Sequence, residues 1–265
     1  MATYRTANYV SRDPVSNISR TIFVRWYEVA PENLEIHPNN NPQLQRQGTN
    51  ASFFGNNNTV SAFHSFRGAP VANRGHENNA NWNDNTTGLS SMHLFAGGPP
   101  GHAPLFTNRA SNISQLANVP SNISWAIGGV SLFLNENVNG VNAMTQRIQS
   151  LYTASVANTW VPNLTTRRAR TFIAFNPTSR RILFGIMSTG ITASGIDDNL
   201  SSISVQTGVG ATYFDMHNLL RTHLGCTMGL SLDGGGTTRI LTPTGAQLSA
   251  ASDPRRSPVC QISFR

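Results

Sequence analysis

The stretch LSLDGGGTT at residues 230–238 combines the residue types that are best suited to chemistry in this chain. An apolar strand ends there on a carboxylate, Asp233, which is followed by Gly234, Gly235 and Gly236. Glycines adopt positive φ readily and place no Cβ between backbone amides and a ligand. We therefore expect a carboxylate presented in a backbone cradle. A β-hairpin with an Asp-Gly turn is the structural alternative for the same segment.

Four segments resemble, in order, the motifs of the phosphodiester glycosidase family. LSLDGGGTT resembles its LDGGGS-type signature, and the resemblance runs from about residue 22 to residue 241. The other three segments are TNASFF (49–54), similar to an Asn-Gly-Gly-Phe-Phe segment, AIGGVSLFLN (126–135), similar to a glycine-containing middle strand, and ARTFIA (169–174), similar to an Arg-Thr strand. Four motifs in order are more specific than one.

The resemblance implies a hydrolase that acts on a sugar-1-phosphodiester or a polysaccharide carrying one. Such a reaction needs a carboxylate at the anomeric carbon and cationic or amide donors for the phosphate. We expect Asp233 to be the carboxylate and Arg170 to hold the phosphate through its planar fork. A buried pair of Arg170 with a carboxylate, Asp233 included, is the structural alternative. Asn50 can donate to phosphate or sugar.

Further polar side chains are expected around these three. Thr171 and Thr238 can add hydroxyl donors, and His64 can serve as an acid. The second carboxylate of an ordinary glycosidase is not identified, because Asp215 is equally a first-turn partner of a helix dipole. The remaining candidates are loop residues, namely Glu77, Asp84, Asp197 and Asp198.

Local patterns predict the elements that must position these groups. Alternation and β-branched residues predict a strand or hairpin arm over residues 20–36, broken at Pro31. Strand composition recurs near residues 124–137, and helical spacing begins at Ala143. Residues 169–190 form two β-rich runs joined by NPTS, a hairpin signal.

The C-terminal part shows the clearest helix signal. Thr212 can cap a helix of about eleven residues, YFDMHNLLRTH, with Gly225 as its end. A strand, a glycine turn and a second strand follow. We see no repeat and no clean linker, so we expect one α+β domain over residues 1–265, rich in mixed β-sheet with a few helices. Residues 55–110, dominated by Asn, Gly, Ser and His, are expected to form a long loop region.

Metal and cofactor chemistry finds little support. Four of the seven histidines lie in residues 55–110, with a spacing that matches no metal motif. They are His64, His76, His93 and His102. Cys226 and Cys260 are too few for a zinc site and form at most one bridge. We expect neither metal nor cofactor.

The charge of the chain is carried entirely by arginine. The net charge is +7, from 19 arginines and no lysine, and only 12% of residues are charged. Clustered arginine is typical of phosphate binding, but these arginines are scattered and no nucleic-acid-binding signature surrounds them. We therefore expect no specific nucleic-acid partner. No apolar run approaches the roughly 18 residues of a membrane span, and the N-terminus lacks a signal-peptide stretch, so a soluble chain is expected.

A non-catalytic carbohydrate-binding or assembly module on the same fold is the rival interpretation. Asn-rich loops with Trp82 and Trp125 could hold sugars by amide bonds and stacking. The absence of lysine fits a protein delivered into a eukaryotic cell, since it offers no side-chain ubiquitin site, or a codon bias. Eight Asn-x-Ser/Thr sequons occur, one of them at Asn50, so passage through a glycosylating route is not expected if Asn50 lies in the site.

Overall fold

The structure is a computed structural model. It describes residues 1–12, 19–39, 41, 43–51, 64–66, 69–70, 93–97, 103–107, 124–150, 165, 167–188, 210–249 and 260–265. The strands are β1 (Thr3–Arg12), β2 (Ser19–Val29), β3 (Leu34–Pro38), β4 (Gly48–Asn50), β5 (His64–Phe66), β6 (Ala69–Pro70), β7 (His93–Gly97), β8 (Leu105–Thr107), β9 (Trp125–Ser131), β10 (Arg170–Asn176), β11 (Arg181–Ser188), β12 (Met228–Leu232), β13 (Arg239–Leu241), β14 (Gln247–Ser249) and β15 (Cys260–Phe264). The helices are α1 (Val141–Gln149) and α2 (Tyr213–Asn218), with 3-10 turns at Pro31–Asn33 and Gly235–Thr237 and a π-helical turn at Leu219–His223.

These strands form two sheets. The large sheet has ten strands in the order β1-β2-β11-β10-β12-β9-β5-β6, with β7 also paired to β9 and β8 to β7. The small sheet has five strands in the order β14-β13-β4-β15-β3. Two sheets with few helices confirm the predicted α+β class.

Apolar side chains on both faces of the large sheet bind it into three layers. On β10, Ile173 and Phe175 belong to a core shared with Ile262 of the small sheet. Phe172 belongs to a second core, shared with Met216 of α2. Burying one such side chain contributes about 1.5–3 kcal/mol to stability. Because both faces of the central strands are covered, their sequences are nearly continuous apolar runs.

The hairpin predicted over residues 169–190 is confirmed. Strands β10 and β11 are antiparallel from Arg170 opposite Met187 to Asn176 opposite Arg181. The side chain of Asn176 stabilises the turn, since its Oδ1 accepts from the backbone N of Thr178 at 2.8 Å.

The predicted helix over residues 213–223 is also confirmed. Thr212 is its N-cap in a capping box, with Thr212 Oγ1 accepting from the backbone N of Asp215 at 3.0 Å. Its second half is π-helical, and this wider turn buries both Leu219 and Leu220. Gly225, at φ +64°, follows the helical segment in the left-handed region that glycine favours.

Three features differ from the expected layout. Strand β1 is unpredicted, because TYRTANYVSR lacks an apolar run, yet it pairs with β2 along its whole length. Residues 55–110 contain the short strands β5, β6, β7 and β8 within the predicted loop region. The helix begins at Val141, before the predicted start at Ala143, and ends at Gln149 with Ser150 as its C-cap, and the predicted span from residue 151 lies outside the described residues. No described helix has the length and hydrophobicity to span a membrane.

Candidate functional site

The segment from Asp233 to Thr238 crosses between the two sheets. β12 pairs with β10 and β9 in the large sheet, whereas β13 pairs with β14 and β4 in the small one. The hairpin alternative for LSLDGGGTT is therefore wrong. We call residues 233–238 the crossover loop. It brings the end of a central strand of one sheet against the end of β4 in the other, where the backbone N of Asp233 donates to the carbonyl of Ala51 at 3.3 Å.

The glycines of the crossover loop are required by its close approach to β10. A Cβ at Gly234 would lie 2.7 Å from the carbonyl oxygen of Ala169, which is too short for any side chain. Gly235 has φ +65°, and its backbone N donates to the same carbonyl at 2.7 Å. The N–H of Gly235 is thus used within the protein, so the expected cradle is only partly available to a ligand. A Cβ at Gly235 would have nothing within 4 Å, so open space adjoins the loop there.

The Asp233 carboxylate is oriented from inside the crossover loop. The Thr237 hydroxyl donates to Asp233 Oδ2 at 2.7 Å. Arg239 is only 1% exposed, and burial lowers the pKa of its guanidinium while the nearby Asp233 carboxylate opposes that shift. Asp233 itself is partly exposed. A carboxylate with a donor and a cation beside it, and with access to solvent, is equipped for acid, base or nucleophilic work.

Arg170 lies beside the crossover loop. A Cβ at Gly234 would lie 3.6 Å from Arg170 Cδ, so the Arg170 side chain passes the loop at Gly234. The guanidinium lies over the ring of Tyr213, with Cζ 4.3 Å from the ring centroid, and Nε donates to the carbonyl of Ala211 at 3.1 Å. Arg170 is 4% exposed, and this burial lowers the pKa of its guanidinium.

Asn50 joins both sheets at the crossover loop. Its Nδ2 donates to the backbone carbonyl of Asp233 at 2.8 Å. Its Oδ1 accepts from the Thr171 hydroxyl at 2.9 Å and from the backbone N of Arg239 at 2.8 Å. Asn50 is 1% exposed, so the amide nitrogen of this sequon is buried and bonded in the folded chain.

The other predicted site residues have more varied positions. Thr238 is buried, and its hydroxyl has no hydrogen-bond partner in the part of the chain that the structure describes. Gly236 lies in the 3-10 turn of the crossover loop. His64 is on β5, opposite Ile127 of β9, and β9 separates it from β12. The loop candidates Glu77, Asp84, Asp197 and Asp198 lie outside the described residues.

Asp215 is a structural residue, as its alternative interpretation held. It is buried, it forms the capping box with Thr212, and its Oδ2 lies 3.0 Å from Arg167 Nη1. Ser11 of β1 donates to its other oxygen.

Two residues at Asp233 were not predicted, namely Thr237 and Arg239. Both follow the glycines directly in the sequence GGGTTR, and that proximity was the available signal. The sequence does not distinguish Thr237 from Thr238. In the structure, the 3-10 turn places the Thr237 hydroxyl against the carboxylate.

Comparison with known proteins rests on structure alone. No family model matches the chain, and no curated protein matches it by sequence. A zebrafish N-acetylglucosamine-1-phosphodiester alpha-N-acetylglucosaminidase catalytic domain, auto-inhibited by its pro-peptide, is similar with a TM-score of 0.63 and 12% identity, over 100% of this chain and 83% of that one. A hypothetical protein from Synechocystis is similar with a TM-score of 0.50 and 13% identity, over 99% of this chain and 62% of that one. At these identities the likeness concerns the fold, and the chain shares the fold of a glycosidase catalytic domain as a distant structural relative.

Proposed function

We propose that this chain is a hydrolase that cleaves a sugar-1-phosphodiester, with Asp233 as its central carboxylate. The observation that carries the proposal is the arrangement at the crossover loop, where a partly exposed carboxylate is oriented by Thr237 beside buried Arg239. The shared fold adds support, because the similar zebrafish domain is named as an N-acetylglucosamine-1-phosphodiester alpha-N-acetylglucosaminidase.

The proposed chemistry divides between the carboxylate and the cations. Asp233 acts at the anomeric carbon, as a base toward water or as a nucleophile. Arg170 and Arg239 are 4% and 1% exposed, so their positive charges act on the anionic phosphate through the electrostatic field and stabilise the negative charge that develops as the glycosidic bond breaks. A phosphate group leaves readily as an anion, so a second carboxylic acid is less necessary here than for an ordinary glycoside.

A carbohydrate-binding or assembly module remains the second candidate, favoured by one observation. The guanidinium of Arg170 is buried against Tyr213 and Ala211, as it would be in a purely structural role. Trp125, which such a module would use to stack on a sugar, is fully buried and donates through Nε1 to the carbonyl of Pro31 at 2.8 Å, so it is not available for stacking. Trp82 lies outside the described residues.

The first experiment is hydrolysis of a sugar-1-phosphodiester that carries a chromogenic group beyond the phosphate. Asp233→Asn is nearly isosteric and should reduce turnover at least about a hundredfold while the chain stays folded. Glu32→Gln, a carboxylate change in the 3-10 turn at Pro31–Asn33, is the matched control and should retain wild-type turnover. Comparable turnover in a folded Asp233→Asn variant contradicts the proposal. Absence of wild-type turnover on a panel of sugars, together with saturable sugar binding, supports the module instead.

A second experiment asks whether the chain binds a small phosphate ligand or the nucleic acid that its net positive charge suggests. Melting is followed with inorganic phosphate, a sugar-1-phosphate and duplex DNA at physiological salt. A ligand that binds only the folded state raises the melting temperature, so the two small anions should protect the wild type and should fail to protect Arg170→Ala. Tight, salt-resistant DNA binding without a response to the small anions would indicate a nucleic-acid function.

A further inference from the structure

The side chain of Asn50 holds both ends of the crossover loop at once. It donates to the carbonyl of Asp233, where the loop begins, and accepts from the backbone N of Arg239, the residue directly after the loop. Its third bond, from the Thr171 hydroxyl, attaches this closure to β10. One carboxamide therefore joins the two sheets and the loop that carries the carboxylate.

The chemistry of the partners determines the orientation of this carboxamide. A backbone N–H can only donate and a backbone carbonyl can only accept, so Oδ1 must face Arg239 and Nδ2 must face Asp233. Both oxygen lone pairs are then occupied by Thr171 and Arg239. Nδ2 already donates to the Asp233 carbonyl, and the side chain is 1% exposed, so Asn50 is better placed to hold protein groups than to donate to a substrate.

We propose that Asn50 is a positioning residue, which sets the distance and orientation of Asp233 relative to Arg239 and β10. This inference rests on the proposed function of Asp233. It replaces the expected role of Asn50 as a donor to phosphate or sugar, and it assigns Thr171 to the same task. A displacement of a catalytic group by about 1 Å can cost up to about a hundredfold in rate, so closure of the loop affects catalysis through geometry.

Two isosteric threonine variants separate this role from a general effect on the core. Thr171→Val removes the hydroxyl that donates to Asn50 Oδ1. Thr49→Val makes the same change one residue before Asn50, where the hydroxyl is equally buried and has no partner among the described residues. We expect Thr171→Val to lower kcat about tenfold with KM changed less than about twofold, and Thr49→Val to leave both within about twofold.

The coupling between Asn50 and Thr171 is the stricter test. In an Asn50→Ala background, Thr171→Val should cause no further loss of kcat, because the partner it serves is already absent. Additive losses, or a raised KM at unchanged kcat in Thr171→Val, would overturn the inference and indicate direct contact with substrate.

A readout without turnover keeps this test separate from the proposed function. Hydrogen exchange of the Arg239 amide should accelerate in both Asn50→Ala and Thr171→Val and not in Thr49→Val, because that amide donates to Asn50 Oδ1. If the wild type has no activity while exchange behaves in this way, the proposed hydrolase fails and the loop closure stands. Unchanged exchange in Asn50→Ala contradicts the closure itself.

Discussion

Two carboxylates, Asp215 and Asp233, lie in polar networks of opposite character. Asp215 is 2% exposed and accepts from the backbone and side chain of Thr212, from Arg167 and from Ser11. These hydrogen bonds connect β1, the segment just before β10 and the N-terminus of α2. Asp233 has the Thr237 hydroxyl and the buried Arg239 beside it, yet it remains partly exposed.

The difference separates a structural ion pair from the carboxylate that we propose as the catalytic one. A buried charge is tolerated when hydrogen bonds and a counter-charge surround it, and Asp215 has both. The Asp233 side chain is partly exposed, and the Thr238 hydroxyl of the same loop is buried without a partner among the described residues. Exposure of the carboxylate is what the proposed function requires, because a substrate must reach it.

The largest expected effect is on stability, at Asp215. Removing one partner of a buried pair typically costs about 3–5 kcal/mol, because the other charge is left uncompensated. Asp215→Ala should therefore lower the free energy of unfolding by about that amount in urea titrations, and Asp233→Asn should lower it by less than about 1 kcal/mol. The comparison fails if Asp233→Asn is the more destabilising change.

Arg170 should show the next largest effect, on activity. Its Nε bond to Ala211 and its stacking on Tyr213 both need a planar guanidinium. We expect Arg170→Lys to reduce kcat/KM about tenfold and Arg170→Ala about a hundredfold. Arg221→Lys is the matched control, since Arg221 lies in the π-helical turn at Leu219–His223, makes an exposed bond to Asn137 and should tolerate the change.

The variant Arg170→Lys decides the matter if Arg170→Ala does not fold. Wild-type activity in a folded Arg170→Lys protein would place Arg170 with Arg167, among the arginines whose role is structural.

Local sequence signals predicted those structural features that depend only on neighbouring residues. Thr212 and Gly225 mark a helix because capping is decided within a few residues, and NPTS marks a turn for the same reason. The exchange of sheets at the crossover loop depends on β4, which is almost 190 residues away in the chain from Arg239. No local pattern contains that pairing, so the hairpin alternative could not be rejected from the sequence.

The site shows the same limit at the level of single side chains. Asp233 was predicted because its own neighbours are unusual. The function of Asn50 depends on its partners Asp233 and Arg239, which are 183 and 189 residues away in the chain, and no local pattern contains those contacts. Strand β1 was missed for a related reason, since its few apolar side chains form no local pattern and it is paired along its whole length with β2.

A third polar network surrounds Glu35. Its contribution to the stability of the fold should be smaller than that of the Asp215 network and should depend on pH. Burial raises the pKa of the Glu35 carboxyl, but hydrogen bonds from His37 and Arg265 outweigh it and hold the pKa below its usual value. A lowered pKa stabilises the fold above the unfolded value of about 4.3, and this stabilisation is lost as pH falls through the lower folded value.

Glu35→Gln measures this contribution directly. Because Arg265 is half exposed, the variant should be less stable than the wild type by at most about 1 kcal/mol near pH 7. The difference should shrink as the solution is acidified. A difference that grows on acidification would contradict the sign argued here.

The smallest expected effect concerns Cys226 and Cys260, which are buried among apolar side chains and have no disulfide. Desolvation raises the pKa of each thiol to about 12, so the reactive thiolate is scarce at neutral pH. In the folded protein, thiol reagents at pH 8 should therefore react slowly with both residues. After denaturation without reductant two free thiols should be titrated, and reductant should leave the melting temperature of the folded chain unchanged. Absence of free thiols, together with a large fall in melting temperature on reduction, would show that a covalent bond contributes to the stability that we assign to apolar packing and to the Asp215 network.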